Sequence, residues 1–170
     1  MVIGPEESLI EVAPPPHIGF PEIQRWRLLG DDERAVEETW DWSGGGALVR
    51  GVPSNYPFAF RNSSKDILGP QYAYRSHLHG FGIVIKTGDA TRQRNNIGDY
   101  YYVVADGQIG DVRCFIAGQA LRGFAVPGDG VSVGRGKGQI SLFHCSPRES
   151  TGKQALVDDM TAVMGSMRLR

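Results

Sequence analysis

Two histidines, His77 and His79, are the residues of this chain best spaced to hold a metal. Side chains two positions apart on a strand point to the same face, so both imidazoles would be presented together to an ion such as zinc. Zinc needs a further ligand, which His17 or His144 would have to supply from a distant part of the chain. Ordinary hydrogen-bonded strand histidines explain the pair more simply. We therefore expect no metal and no cofactor.

A second candidate is the segment that begins at Cys145, where a predicted strand leads into a predicted helix. It resembles the signature of the cysteine-dependent phosphatases, in which a loop of backbone amides binds phosphate and an arginine follows at the sixth position after the cysteine. Thr151 stands at that position here, and Arg148 comes three places too early. The motif is thus incomplete, and a structural cysteine at a strand end is the simpler interpretation. A small hydrolase that uses Cys145, or His77 and His79 with a metal, stays an alternative.

Aromatic and basic residues lie close together in two segments, and we predict that they form a binding surface. Tyrosine, tryptophan and arginine are the usual anchors of protein interfaces. Stacking on aromatic side chains beside cations can also bind sugars or single strands. The predicted binding residues are Trp26, Trp40, Trp42, Arg92, Arg94 and Tyr101.

Cys114 and Cys145 are the chain's two cysteines, and both lie in segments that read as strands. A disulfide between them would tie neighbouring or facing strands together, and closing a loop of that length contributes about 3–4 kcal/mol in the chain-entropy model. Two buried free thiols are the alternative. We predict the disulfide, which indicates a periplasmic or secreted protein; a cytoplasmic location is the alternative.

Length and charge exclude several classes of protein. The 170 residues suffice for one domain, and the formal net charge is −1. Nucleic-acid binding through bulk charge requires a surplus of Lys and Arg, so we expect no nucleic-acid partner. No apolar run approaches the length of a transmembrane helix, so we expect no membrane span.

The pattern of apolar, proline and glycine residues along the chain predicts the secondary-structure elements that would position these residues. Residues 1–24 are rich in proline and predict an extended arm, followed by a single sheet-rich domain over 25–170. Residues 31–39 suit a helix start, whereas VEETWDW equally suits a strand. Short apolar runs after Ala47 predict antiparallel strands, the clearest at 80–87. Asp106-Gly107 predicts a two-residue hairpin turn, with a bulge at Gly110.

The chain's last segment predicts an amphipathic helix. Thr151 and Gln154 fit a capping box, and apolar residues then recur at helical spacing. The sequence therefore predicts an α+β fold: a mainly antiparallel sheet, a C-terminal helix packed on one face, and a proline-rich N-terminal arm. The corresponding functional hypothesis is a non-enzymatic binding or assembly protein that binds a protein partner or its own copies. A cytoplasmic scaffold that self-associates through its arm is a further alternative.

Overall fold

The computed structural model describes residues 9–12, 24–27, 36–42, 44–52, 80–122 and 137–169. Within these ranges the chain forms nine strands, one α-helix and a short 3-10 turn at Thr87–Asp89. The strands are β1 Leu9–Val12, β2 Gln24–Arg27, β3 Val36–Trp42, β4 Gly45–Val52, β5 Thr91–Arg94, β6 Asp99–Asp106, β7 Val112–Arg122, β8 Lys137–Pro147 and β9 Arg168–Leu169. The helix, α1, is Lys153–Gly165.

Six of these strands form one antiparallel sheet in the order β3-β4-β8-β7-β6-β5. The two longest strands, β7 and β8, lie at its centre, paired from Val112 opposite Pro147 to Arg122 opposite Lys137. A second antiparallel sheet has the order β2-β1-β9. The predicted α+β class with an antiparallel sheet is confirmed, and VEETWDW is the strand β3.

One face of the six-stranded sheet, which we call the helix face, packs against α1. Alternation in the strands directs Ala47, Phe115, Ala117, Ile140 and Leu142 to this side. The helix contributes an apolar stripe at helical spacing, as predicted. That stripe comprises the buried residues Leu156, Met160, Val163 and Met164. The C-terminal helix therefore covers one face of the sheet, as expected.

The opposite face, which we call the disulfide face, has a smaller core of its own. Its buried members are Ile83, Val103, Cys114, Ile116 and Phe143. Side chains at alternate positions of β7 and β8 thus enter two different cores. Both faces of the central strands are therefore largely buried.

The predicted strand at 80–87 is wrong, since the described residues there form no strand before the turn at Thr87–Asp89. The alternation of apolar and other residues in this segment nevertheless agrees with which side chains are buried. Ile83 is buried, Phe81 packs partly against the disulfide-face core, and Val84 points outward. One backbone bond, from Ile109 N–H to the Phe81 carbonyl at 3.1 Å, joins this segment to the β6–β7 loop. Apolar alternation alone does not supply the paired neighbour that a strand requires.

The β6–β7 hairpin exists, but its turn is longer than predicted. Five residues, 107–111, connect the strands, and positive φ angles occur at Gly110 and Asp111. Asp106 instead ends β6 and accepts a 2.7 Å bond from Arg113 Nε across the mouth of the loop. That guanidinium lowers the pKa of Asp106. Asp106 therefore pairs with Arg113 at the end of the ladder, and the predicted bulge position, Gly110, lies in the loop.

The helix begins differently from the prediction. Gly152 is its N-cap, and no side-chain cap bond is present, so the capping box at Thr151 and Gln154 is wrong. Gln154 donates instead to Asp158 one turn along the helix, at 2.8 Å.

Most of the predicted arm at 1–24 lies outside the described residues, as do His17, His77 and His79. Where the structure describes the arm, Leu9–Val12 forms strand β1, and Ile10 and Val12 are buried in the helix-face core. Among the described helices, none has both the length and the apolar character needed to cross a membrane.

Candidate functional site on the disulfide face

The predicted binding residues lie in two different sheets, and those of the six-stranded sheet separate toward its two ends. Trp40 and Trp42 lie on the edge strand β3, whereas Arg92 and Arg94 lie on the other edge strand, β5. Trp26 lies on β2, in the three-stranded sheet. The structure therefore does not bring the tryptophans and the arginines together in this sheet.

Trp42 belongs to the helix face. Its half-buried ring packs against the helix-face core, and its Nε1–H donates to His144 Nδ1 at 3.1 Å. Burial lowers the pKa of His144, and the nearby charge of Asp159 partly opposes that effect. With Nδ1 accepting a hydrogen bond, a neutral His144 carries its proton on Nε2. Trp42 and His144 thus form a partly buried pair that joins β3 to β8.

The structure does bring Arg92 and Tyr101 together. They are direct partners in the β5–β6 register, and Tyr101 packs partly against the disulfide-face core. Asp99 accepts a hydrogen bond from Arg92 and lies 3.9 Å from Arg94 Nη1. The bond to Asp99 raises the pKa of the exposed Arg92 guanidinium. This edge of the disulfide face presents two cations, one carboxylate and one aromatic ring within two strands.

The two cysteines lie opposite each other in the β7–β8 register and form a disulfide, as predicted. Cys145 N–H donates to the Gly44 carbonyl at 2.7 Å, on the β4 side of its strand. In an antiparallel ladder, a residue that bonds to one neighbour faces the other as a non-hydrogen-bonded pair, in which side chains approach closely. The Cα atoms of the two cysteines are accordingly 4.0 Å apart. In this state Cys145 presents no thiolate to a substrate.

Metal binding was the other catalytic alternative. Among the described residues, no three His, Cys, Asp or Glu side chains are placed to hold an ion together. His77 and His79 lie outside those residues, so the hydrolase alternative through them is untested.

Gln139 and Ser141, which the sequence analysis did not single out, are the unusual residues of the disulfide face. They share the alternation of Phe143 and Cys145 on β8, and they are 1% and 6% exposed. Among the residues that the structure describes, the Gln139 amide and the Ser141 hydroxyl are the buried side-chain groups without a hydrogen-bond partner. Such groups are uncommon in native proteins, because leaving one unpaired costs about 1–3 kcal/mol.

Small residues stand beside these two side chains. In the β7–β8 register Ser141 faces Gly118, and Gln139 faces Ala120. On the other side of β8, Gln139 faces Arg50 of β4. On the β4 side Ser141 faces Leu48, which is 4% exposed, so the two unpartnered polar groups lie between small residues on β7 and larger ones on β4.

The helix face offers a direct contrast in Gln119, which is also fully buried. Its amide pairs reciprocally with that of Asn95: Asn95 Nδ2 donates to Gln119 Oε1 at 2.9 Å, and Gln119 Nε2 donates to Asn95 Oδ1 at 2.9 Å. Gln119 Nε2 also donates to the Gly98 carbonyl, and Asn95 Nδ2 donates to the Met164 carbonyl. These bonds connect β7, the β5–β6 loop and the end of α1.

One sequence signal could have identified the two unpartnered residues of β8. Along β8, the residues from Gln139 to Cys145 alternate between the two cores, so a polar residue in either register is buried. Gln139 and Ser141 are the polar residues that share the register of Phe143 and Cys145. The absence of a partner is visible only in three dimensions.

Comparison of the chain with protein-family models gives no match. Comparison with curated proteins likewise finds no relative.

Proposed function

We propose that this is a non-enzymatic binding or assembly protein of an exported compartment, either periplasmic or secreted. The Cys114–Cys145 disulfide carries this proposal, because it joins the two central strands of the sheet at directly opposite positions. Bonds of this kind persist in oxidising compartments and are rare where thiols are kept reduced.

The binding part of the proposal rests on the β5 edge of the disulfide face. Arg92 and Arg94 are exposed there beside Tyr101, and these residue types are favoured anchors for a protein partner or for a second copy of the chain. Asp99 accepts a hydrogen bond from Arg92 and lies 3.9 Å from Arg94 Nη1. A partner that presents carboxylates to this edge would find cations that are already positioned.

Alkylation of the protein taken from its own cells tests the compartment. Cells are lysed in denaturant with an alkylating reagent, with and without prior reduction, after separation of the exported fraction from the cytoplasm. We expect the protein in the exported fraction, unmodified without reductant and doubly alkylated after reduction. A cytoplasmic protein with both thiols modified before reduction would contradict the proposal.

A further inference from the structure

We propose that copies of this chain associate edge to edge, with β5 of one copy adding to β3 of the next, so that the six-stranded sheet continues from copy to copy. This inference rests on the proposed binding function and names a second copy of the chain as the partner. Among the residues that the structure describes, β3 and β5 are the two outer strands of this sheet. Their opposite charges identify the partner.

The outward-facing backbone groups of β5 belong to its two arginines. Asn95 N–H donates to the Gly98 carbonyl at 3.0 Å, so these residues form a hydrogen-bonded pair at the end of the β5–β6 register. Hydrogen-bonded and non-hydrogen-bonded pairs alternate along an antiparallel ladder. The backbone N–H and C=O groups of Arg92 and Arg94 therefore point away from β6, toward any strand that adds to this edge.

The same alternation defines the outward-facing groups of β3. Cys145 N–H of β8 donates to the Gly44 carbonyl, so every second residue of β4 bonds to β8 and the residues between them bond to β3. Ala47 is one of those residues, and it faces Trp40 in the β3–β4 register. The outward-facing backbone groups of β3 therefore belong to Glu37, Thr39 and Asp41.

Charge at these outward-facing positions has opposite signs on the two edges. β5 provides two guanidinium groups, and the Arg92 and Arg94 side chains are 63% and 79% exposed. β3 provides the carboxylates of Glu37 and Asp41 and contains no basic residue. A strand with carboxylates at its outward-facing positions is the complement of the β5 edge, and this sheet has such a strand at its other end.

The number of strands allows a second copy to continue the sheet. Strands that alternate in direction across a sheet of six leave β3 antiparallel to β5. A second copy placed beside the first in the same orientation therefore presents its β3 antiparallel to β5 of the first copy. The disulfide faces of the two copies then lie on the same side of the extended sheet.

The outward-facing charged residues of both edges belong to that face. Arg92 is the register partner of Tyr101, which packs partly against the disulfide-face core. Glu37 holds a register position opposite Arg50, which in turn lies opposite Gln139 on the same face. The arginines of one copy and the carboxylates of the next therefore meet on one side of the sheet.

Two registers place both arginines directly opposite outward-facing residues of β3. In the first register Glu37 lies opposite Arg94, which places Asp41 diagonal to the other arginine. In the second register Asp41 lies opposite Arg92, which places Glu37 diagonal to the other arginine. Directly opposite residues on one face interact, and diagonal neighbours are within reach of long side chains. Both registers therefore give each guanidinium a carboxylate.

The charges also disfavour the other pairings of these edges. Two β5 edges would bring arginines together, and two β3 edges would bring carboxylates together, and like charges directly opposite each other destabilise a strand pair. Asp99 on β6 and Arg50 on β4 each provide one inner counter-charge, so each edge keeps an excess of its own sign. Charged edge strands ordinarily prevent association. Here the charges restrict association to β5 with β3.

This contact is short and heterologous, and both properties determine what association looks like. β5 has four residues, so the strand pair is small and the association is weak. A contact between two different edges leaves one edge of each kind at the ends of every assembly, so growth does not stop at a dimer unless the assembly closes into a ring. We therefore expect a mass that rises continuously with concentration.

Charge reversal at each edge tests the pairing by analytical ultracentrifugation of the purified protein. At about 20 mM salt, where surface charges are weakly screened, we expect the weight-average mass of wild type to rise at least about twofold between micromolar and millimolar concentration. At about 500 mM salt the rise should largely disappear. Arg92→Glu/Arg94→Glu and Glu37→Lys/Asp41→Lys each give both edges of a copy the same sign, so each variant alone should remain monomeric.

An equimolar mixture of the two reversal variants separates edge pairing from a general effect of charge. The first variant keeps the carboxylates of β3, the second keeps the arginines of β5, and the two reversed edges complement each other. The mixture should therefore recover the wild-type rise in mass. Lys86→Glu/Lys153→Glu is the control, because it changes the net charge as much as the first variant does at exposed positions outside both strands. It should behave as wild type.

Three results would overturn the proposal: a wild-type mass that does not rise with concentration, a rise that survives either reversal, or a mixture that stays monomeric. Should a reversal variant fail to fold, Arg92→Ser/Arg94→Ser and Glu37→Gln/Asp41→Asn remove the same charges more mildly, and each should reduce the rise at least several-fold. These measurements do not depend on where the protein resides in the cell. Failure of the compartment proposal and failure of edge pairing therefore give different results.

Discussion

The two faces of the six-stranded sheet each bury a glutamine from a central strand, and the two glutamines differ in what surrounds them. On the helix face, Gln119 pairs with Asn95 and with a backbone carbonyl, so its amide is fully engaged. On the disulfide face, Gln139 and Ser141 are buried without partners among the described residues. One face has a polar network that links three elements, and the other has unpaired polar groups on the strand that carries Cys145.

The unpaired groups and the disulfide of this face have opposite effects on the free energy of unfolding. Unpaired groups such as those of Gln139 and Ser141 destabilise the folded state by about 1–3 kcal/mol each. The disulfide closes a loop of sequence separation 31, which is worth about 3–4 kcal/mol in the chain-entropy model. The covalent bond is therefore of the right size to offset much of the cost on its own face.

Removing the disulfide should have the largest effect on this balance. We expect the Cys114→Ala/Cys145→Ala variant to lose about 3–4 kcal/mol of unfolding free energy, measured by urea denaturation without reductant. Wild-type protein in reductant is the control and should lose a similar amount. A loss below about 1 kcal/mol would show that the disulfide does not sustain the unpaired groups.

Breaking the amide pair on the helix face should have the next largest effect. Gln119→Met removes three hydrogen bonds and leaves the Asn95 side chain and the Gly98 carbonyl with fewer partners. We expect a loss of about 2–3 kcal/mol of unfolding free energy in urea denaturation. Gln139→Met is the matched substitution, and the two changes should have opposite signs. Equal losses would mean that the faces do not differ as described.

The unpaired hydroxyl of Ser141 provides a smaller test of the same contrast. Ser141→Ala removes a polar atom that has no partner in the described structure and leaves only a small gap. We expect unfolding free energy to stay within about 1 kcal/mol of wild type, on the stabilising side. Thermal and urea denaturation measure this change. A clear destabilisation would indicate that the hydroxyl has a partner in solution.

Much of the sheet could be predicted from the sequence, because residue alternation is a local property. The disulfide between two strand cysteines and the apolar stripe of α1 were predicted from composition and periodicity, whereas the strand β3 was one of two open alternatives and the directly opposite placement of Cys114 and Cys145 comes from the structure. The segment at 80–87 shows the limit. Its alternation correctly indicates that Ile83 is buried, but whether a neighbouring strand pairs with it depends on distant parts of the chain.

The candidate site could be predicted only in part, for a related reason. Arg92 and Tyr101 were predicted as binding residues from local composition, and the register makes them neighbours. Trp42 was grouped with them by residue type, yet it lies on the opposite edge strand and packs on the helix face. Whether a polar side chain such as Gln139 has a partner depends on residues far away in sequence, and no local pattern reports that.

Protonation of His144 should give the smallest effect and tests whether the helix face depends on its polar pairs. Burial lowers the pKa of His144 below its usual value of 6.5, so the unfolded chain takes up this proton at a higher pH than the folded protein does. Above the unfolded pKa the group contributes no pH dependence. As the pH falls from the unfolded pKa through the folded pKa, the free energy of unfolding decreases. Below the folded pKa this group causes no further decrease.

The cause of this loss is the burial of the charged imidazolium. Protonated Nδ1 also cannot accept the bond from Trp42 Nε1. Urea midpoints of wild type and of His144→Gln at pH 8 and pH 5 isolate the effect, since other groups titrate in both proteins. We expect wild type to lose more stability than the variant over this interval. Equal losses would mean that His144 titrates alike in the folded and unfolded states. The Trp42 bond would then contribute little to the free energy of unfolding. Only the two glutamines would then distinguish the helix face from the disulfide face.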